Sequence, residues 1–397
     1  MDVDVVPWLE LALRWLHVIT GIAWIGASFY FVWLDGHIRK AEGGNPLVAG
    51  ELWAVHGGGF YHNQKYLVAP AQLPPELHWF KYEAYFTWIS GFALLAVIYY
   101  LGANVFLIDK AKLALSPPEA IAISLAFLAG GWLVYDGLCR SPLGKDGPLF
   151  GGVWFLVLVG AAYALTHIFS DRAAFLHVGA IVGTAMVANV FFVIIPNQKK
   201  VVASMLAGET PDARLGLQAK QRSLHNNYMT LPVVLMMISN HYPMLFASKI
   251  AWLLLAALSL SGIMIRHVFN LRHKGETNWL LAFGAVLVFV AAMLIGISVQ
   301  HDGEAAPAKS VAYATARAII DRHCIMCHAA HPTHAGISVA PEGLDFTRDD
   351  VVRQNASRML LQAVTTKAMP LGNETGMTDA ERAELGAWLR SGAAVPP

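Results

Sequence analysis

The sequence predicts an all-α protein in which eight apolar helices cross a bilayer and a small soluble helical domain follows them. Three observations carry that prediction. Of 397 residues, 56% are apolar and only 14% charged, too apolar a balance for a soluble chain of this length. Eight apolar runs each approach the roughly 20 residues that cross a hydrocarbon core. Beyond the last of them the composition changes, and Cys324-Ile325-Met326-Cys327-His328 appears.

The eight runs lie near 11–34, 85–107, 119–139, 150–170, 174–196, 225–243, 248–269 and 278–300. The sixth has a polar and broken start in His225, Asn226, Asn227 and Pro232. Asp2, Asp4 and Glu10 precede the first run, the reverse of the basic start of a cleaved signal peptide, so that run reads as a retained helix. Net charge is +1 and no Lys/Arg cluster is interleaved with aromatics, which argues against a nucleic-acid partner.

An even number of spans puts both termini on one side, and the distribution of basic residues says which. Segments after spans one, three, five and seven hold fourteen Lys/Arg, from Arg39 and Lys40 through Arg272 and Lys274. The opposite side holds four, Lys110, Lys112, Arg172 and Lys249. Both termini are therefore expected outside a bacterial cytoplasmic membrane. The bundle also reads as a four-plus-four repeat. Leu16-His17-Val18 opening span one matches Leu176-His177-Val178 opening span five, and Leu77-His78 before span two matches Leu224-His225 before span six.

Residues 1–300 are read as the membrane domain, 301–310 as a linker and 311–397 as a soluble domain outside the membrane. Val311 to Arg322 suits one helix, and Thr378-Asp379-Ala380-Glu381 before Leu385, Trp388 and Leu389 reads as a capped amphipathic helix. Cys-x-x-Cys-His after a short helix is the attachment signature of a covalent haem c in a class I-like cytochrome c domain. Cys324 and Cys327 are the thioether anchors and His328 the proximal ligand. A thioredoxin-like Cys-x-x-Cys or half a zinc site is the bland alternative, but no strand-helix redox pattern surrounds it and no second cysteine pair exists. Met369, before Pro370, is the expected sixth ligand, with Met359 and Met377 packing around the porphyrin. Haem is attached to such domains outside the cytoplasm, in agreement with the charge count.

Ionisable groups at membrane depth mark functional positions by default. His17 and His177 are candidate axial ligands of an additional b-type haem, the alternative being hydrogen bonding between helices. Trp53 to His62 leads through Lys65 to Trp79-Phe80-Lys81-Tyr82-Glu83, a run of aromatics, imidazoles, bare glycine backbone and charge. It suits a flat anionic ligand: Tyr61 and Trp79 stack, Lys65 and Lys81 supply charge, and the Gly57 and Gly58 amides donate. An aromatic belt and an ordinary loop are the alternatives. His225-Asn226-Asn227-Tyr228, Asn240-His241 and Arg266-His267 form a second polar set, suited to lining a cavity or to pairing helices. Cys139 reads as an inert buried thiol.

Several longer words carry a family resemblance: His17-x6-Trp24, His56-Gly-Gly-Gly-Phe-Tyr61, Leu77-His78-Trp-Phe-Lys-Tyr-Glu83, His225-Asn-Asn-Tyr-Met-Thr-Leu-Pro232 and Met369-Pro-Leu-Gly-Asn373-Glu-Thr-Gly-Met377. Together they resemble the membrane-bound cytochrome c urate oxidase family over essentially the whole chain. The resemblance implies oxidation of urate to 5-hydroxyisourate, with water supplying the oxygen and the attached cytochrome taking the electrons. It implies a downstream cytochrome c or terminal oxidase as partner. On that reading His56, His225 or Glu83 assists loss of the second urate proton, and Asn226 and Asn227 join the substrate contacts. A substrate site on the inner side would lie about 30 Å from an outer haem and would need an intermediate carrier. The runner-up is a multihaem electron-transfer subunit that anchors a separate dehydrogenase; a permease-like bundle with a redox-sensing cytochrome comes third.

Overall fold

The computed structural model describes residues 5–40, 45–110, 112–246, 248, 250–301, 311–334 and 337–394. The eight expected spans are eight long helices: α1 (Val6–His37), α2 (Tyr82–Tyr100), α3 (Pro117–Arg140), α4 (Gly147–Ile168), α5 (Asp171–Leu206), α6 (Ala213–Ile238), α7 (Ala251–His273) and α8 (Trp279–His301). All but α6 are long and apolar enough to cross a membrane.

α6 starts at Ala213 rather than at His225, where Asp212 caps it by accepting from the Arg214 amide at 2.9 Å. Its first half carries Gln218, Lys220 and Arg222, which is why its average hydropathy is low. It still runs the length of the bundle. Arg222 bonds Asp136 near the end of α3, and Asn240, just past α6, accepts from Arg172 near the start of α5.

One element departs from the all-α expectation. Between α1 and α2, β1 (Val48–His56) and β2 (Gly59–Tyr66) pair antiparallel with His56 opposite Gly59. Gly57 and Gly58 have φ of +57° and +81°, the left-handed pair that a two-residue hairpin turn demands and that side chains resist. This hairpin marks one end of the bundle; both described chain ends lie toward the other.

The bundle core lies among α3, α4 and α5, where Leu128, Tyr135, Phe150, Trp154, Phe175 and Ile181 are buried together. Lipid tails are as apolar as these side chains, so close packing and interhelical hydrogen bonds hold the helices rather than escape from water. The outward surface is apolar, as lipid requires: on α8, Leu280 is 82% exposed and Phe283 61%. α5 is interrupted by a π turn over Asn189–Ile194, an irregularity that often marks a polar insertion or a functional site.

Beyond the bundle, α9 (Tyr313–His323) packs with α10 (Asp379–Arg390) around Ile319, Ile320, Phe346, Met359, Met377 and Trp388. The capping box expected at Thr378 and Glu381 is formed. Of the linker expected at 301–310, residues 302–310 lie outside the described residues. This C-terminal domain meets the bundle at the end opposite the hairpin. A Cβ built on Gly372 would stand 3.0 Å from the carbonyl oxygen of Val105 and 3.2 Å from that of Ile108, and Ala368 packs against the bundle core.

Candidate functional site

In the C-terminal domain the turn after α9 brings Cys324, Cys327 and His328 to the edge of the apolar core, with both thiols free. Burial pushes the Cys324 thiol up to about 12 and raises that of Cys327. Burial also lowers the His328 pKa, against the opposing pull of the Leu344 carbonyl. His328 Nδ1 lies 3.2 Å from that carbonyl, which sets Nδ1 as the donor and leaves Nε2 for a metal. Met359 and Met377 are buried in the core, while Met369 is only partly buried at its margin. The loop carrying Met369 is pinned from behind by Arg382, 4% exposed, which donates to the carbonyls of Ala363 and Met369 (the latter at 2.6 Å) and to Asn373 Oδ1 at 3.0 Å. Two thiols, an imidazole with a free Nε2 and a thioether are the donor set that a covalently attached haem would use. Arg382 escaped the sequence reading, because nothing in its local pattern distinguishes it from a surface residue of an amphipathic helix.

The run from 53 to 83 does not gather into one pocket. Gly57 and Gly58 are the exposed hairpin turn, so their amides do not cradle a ligand inside the bundle. His56 and Tyr61 stand at the hairpin tip, Tyr61 54% exposed. Lys65 pairs with Asp35 at the end of α1, 2.5 Å away, and His62 with Glu51 at 2.9 Å. Lys81 lies 4.9 Å over the ring of Tyr82, and Glu83 occupies the first turn of α2. Trp79 packs against Ala84, Val187 and Ile195. The correction has one physical cause: alternating side chains around Gly-Gly form a hairpin, which carries its residues away from the helix ends.

His225, Asn226 and Asn227 are brought into the bundle and joined to residues that the sequence left unremarked. His225 Nδ1 lies 2.9 Å from Tyr135 OH, and its ring stacks on Phe150 at 4.4 Å. Asn189, fully buried at the π turn, donates to Tyr135 OH and to Asn226 Oδ1, and accepts from Arg222 at 3.1 Å. Arg222 completes the network on Asp136 at 2.6 Å. Cys139 has a neighbour after all, its Sγ 3.8 Å from His225. Asn227 belongs to a second chain of bonds: it donates to Ser28 Oγ at 3.2 Å and accepts from Asn270 at 3.1 Å, while Asn270 accepts from Arg266 at 2.9 and 3.1 Å. Asp136, inside the last turns of the apolar run at 119–139, is the sequence signal for the first network.

His17 and His177 are not assembled as a haem-ligand pair. His17 Nδ1 faces the Thr87 carbonyl at 2.9 Å and Ser90 on α2, and its ring lies against Gly91. His177 turns to α3 instead: Nε2 is 2.7 Å from Ser124 Oγ and Nδ1 2.7 Å from the Ala173 carbonyl, with Phe169 and Tyr99 flanking the ring. Both its nitrogens are engaged, so these residues do not fit a b-type haem in this packing. The two histidines, equivalent by the expected repeat, therefore sit in different surroundings.

Fold and side chains together define a multi-pass helical membrane protein with polar networks inside the bundle and a compact domain at one end. Residues 4–296 match the family model described as Urate oxidase N-terminal, and the chain belongs to that family. The match ends where the bundle ends. No curated protein and no solved structure matches the chain.

Proposed function

We propose that this chain is a membrane-bound urate oxidase that transfers the electrons of urate to a covalent haem c on its own C-terminal domain. The reaction balances as urate plus water giving 5-hydroxyisourate, two protons and two electrons. A downstream cytochrome c or terminal oxidase then takes those electrons. The observation that carries the reading is the fusion itself: a urate oxidase family bundle is continuous with a domain whose Cys324, Cys327, His328 and Met369 fit a haem, and the Met369 loop is seated on the bundle at Val105 and Ile108.

Cys324 and Cys327 would anchor the haem and His328 and Met369 would ligate its iron; when bound it supplies a one-electron acceptor of raised potential. The protein's own part is to bind the flat anion, keep bulk water from it and take up its protons. Of His56, Glu83 and His225, only His225 lies within the bundle's bonded network, held by Tyr135 and Phe150 against α3 and α4. The basic residues at the hairpin end support a cytoplasmic-membrane location with the C-terminal domain outside.

Membranes containing the chain, incubated without oxygen with urate, oxidised soluble cytochrome c and heavy-oxygen water, test the proposal. Labelled 5-hydroxyisourate with two cytochromes reduced per urate is expected. Product formed only when oxygen is admitted, or electron transfer only after a second dehydrogenase is added, contradicts it.

A further inference from the structure

On the flank of the bundle nearer the hairpin, α1, α6 and α7 leave a cleft of about 400 Å³, within the range of small-molecule sites, roughly 300–1,000 Å³. Its walls are Phe29, Tyr30 and Trp33 of α1, Leu231 of α6, and Phe269 and His273 of α7. The one permanent charge among the residues that line it is Arg266, 4% exposed. The guanidinium lies 4.2 Å from the centre of the Phe29 ring, and its Nε and one terminal nitrogen share a single acceptor, Asn270 Oδ1. Among the described residues no carboxylate lies within ion-pair distance of it, and its second terminal nitrogen has no hydrogen-bond partner.

A permanent cation buried within a membrane span needs a counter-charge or a strong set of acceptors. Here one neutral amide and two ring faces serve in its place. Asn270 is itself held by Asn227, and Asn227 by Ser28, so the guanidinium is fixed in orientation from behind while its other edge is free. A planar fork of donors beside several aromatic faces is complementary to a planar anion with in-plane carbonyl oxygens. A phosphate headgroup would use the charge but not the rings.

We propose that Arg266, with Phe29, Tyr30, Trp33 and Phe269, forms a binding site for a flat, anionic, oxygen-bearing heteroaromatic ring, and that this ring is the urate of the reaction proposed above. The inference rests on that reading for the identity of the ligand and on the cleft for its place. Arg266 lies roughly 22 Å along α7 from Ala251, the end where the C-terminal domain sits. That distance separates binding of the ring from delivery of its electrons, so binding rather than turnover is the direct test.

The holoprotein in neutral-lipid nanodiscs, titrated with urate and followed by tryptophan fluorescence, provides it. Wild type should bind urate, and caffeine, a neutral purine, at least tenfold more weakly. Arg266→Met should weaken urate binding about 10- to 100-fold, the scale of one lost charge-assisted contact, and bring urate and caffeine level; Arg266→Lys should recover part of the loss. Phe29→Leu, which keeps the charge, should weaken both purines together, by about three- to tenfold. Haem content and the haem reduction potential, measured on each variant, should stay at wild-type values. Unchanged urate affinity in both Arg266→Met and Phe29→Leu overturns the site, as does loss of urate binding when anionic phospholipid replaces the neutral lipid. Urate that binds at Arg266 but never reduces the haem would overturn the function while leaving the site standing.

Discussion

Arg222 and Arg266 are both buried arginines in the hairpin half of one bundle, and the protein treats them differently. Arg222, 5% exposed, gives one nitrogen to the Asp136 carboxylate and another to Asn189, which is itself tied to Tyr135 and Asn226. Among the described residues Arg266 meets only the Asn270 amide and aromatic faces. An arginine whose charge is answered within the protein belongs to the framework, because removing either partner leaves the other buried alone. One whose charge is left open keeps its attraction for something that arrives.

The comparison breaks most visibly on stability. Asp136→Asn strands the Arg222 guanidinium and should cost about 3–5 kcal/mol, read as a lower unfolding temperature in nanodiscs. Replacing both members, as Asp136→Leu with Arg222→Met, should restore most of that loss. Arg266→Met forfeits one amide acceptor and should cost about 1–1.5 kcal/mol; equal losses at Asp136 and Arg266 would erase the distinction.

A third buried arginine sharpens it. Arg382 spends its donors on the Ala363 and Met369 carbonyls and on Asn373, so its charge organises a loop rather than waiting for a ligand. Arg382→Leu should release the Met369 loop at a cost of about 2–3 kcal/mol. Its signature is loss of the thioether-to-iron charge-transfer band and a lower potential, with haem still attached through Cys324 and Cys327. A wild-type band and potential would show that the loop holds itself.

Smaller effects follow at the seat of that loop and at a helix cap. Gly372 has φ of +56° and no room for a side chain against Val105 and Ile108. Gly372→Val should slow haem reduction by urate about tenfold, a barrier change of roughly 1.4 kcal/mol, while leaving urate affinity alone. Glu381 is a partly exposed counterpart to these buried charges. Its carboxyl is held down at about 2, first by the Thr378 backbone amide, then by the Thr378 hydroxyl and His323. Because the folded value lies below the ordinary one of about 4.3, the cap contributes in full above that value and is lost as pH falls toward 2. The gap in unfolding temperature between wild type and Glu381→Gln should thus be constant near neutrality and close below about pH 4. A gap independent of pH would assign the cap no ionised role.

What could be read from the sequence follows from what local pattern encodes. Seven spans were visible because lipid demands an unbroken apolar run, and α6 was misplaced at its start because its buried face is polar: Arg222, Asn226 and Asn227 are buried by partners far away in the chain. The Cys-x-x-Cys-His motif is contiguous, so it can be read without the fold, as can the helices on either side of it. The hairpin was missed although Gly57-Gly58 between alternating side chains signals it, and that miss drew His56, Tyr61 and Lys65 into a pocket they do not form. In the sequence Arg266 stands only as one member of a polar set. Its isolation from any carboxylate among the described residues is a fact of packing between α1, α6 and α7, which no window along the chain contains.

The most direct test is a single turnover. Oxidised, haem-loaded protein is mixed anaerobically with urate, with no other acceptor present, and the haem spectrum is followed. Reduction of the chain's own haem, with two haems reduced for each urate consumed, is the predicted result; a haem that stays oxidised under urate yet reduces at once with dithionite would contradict the account.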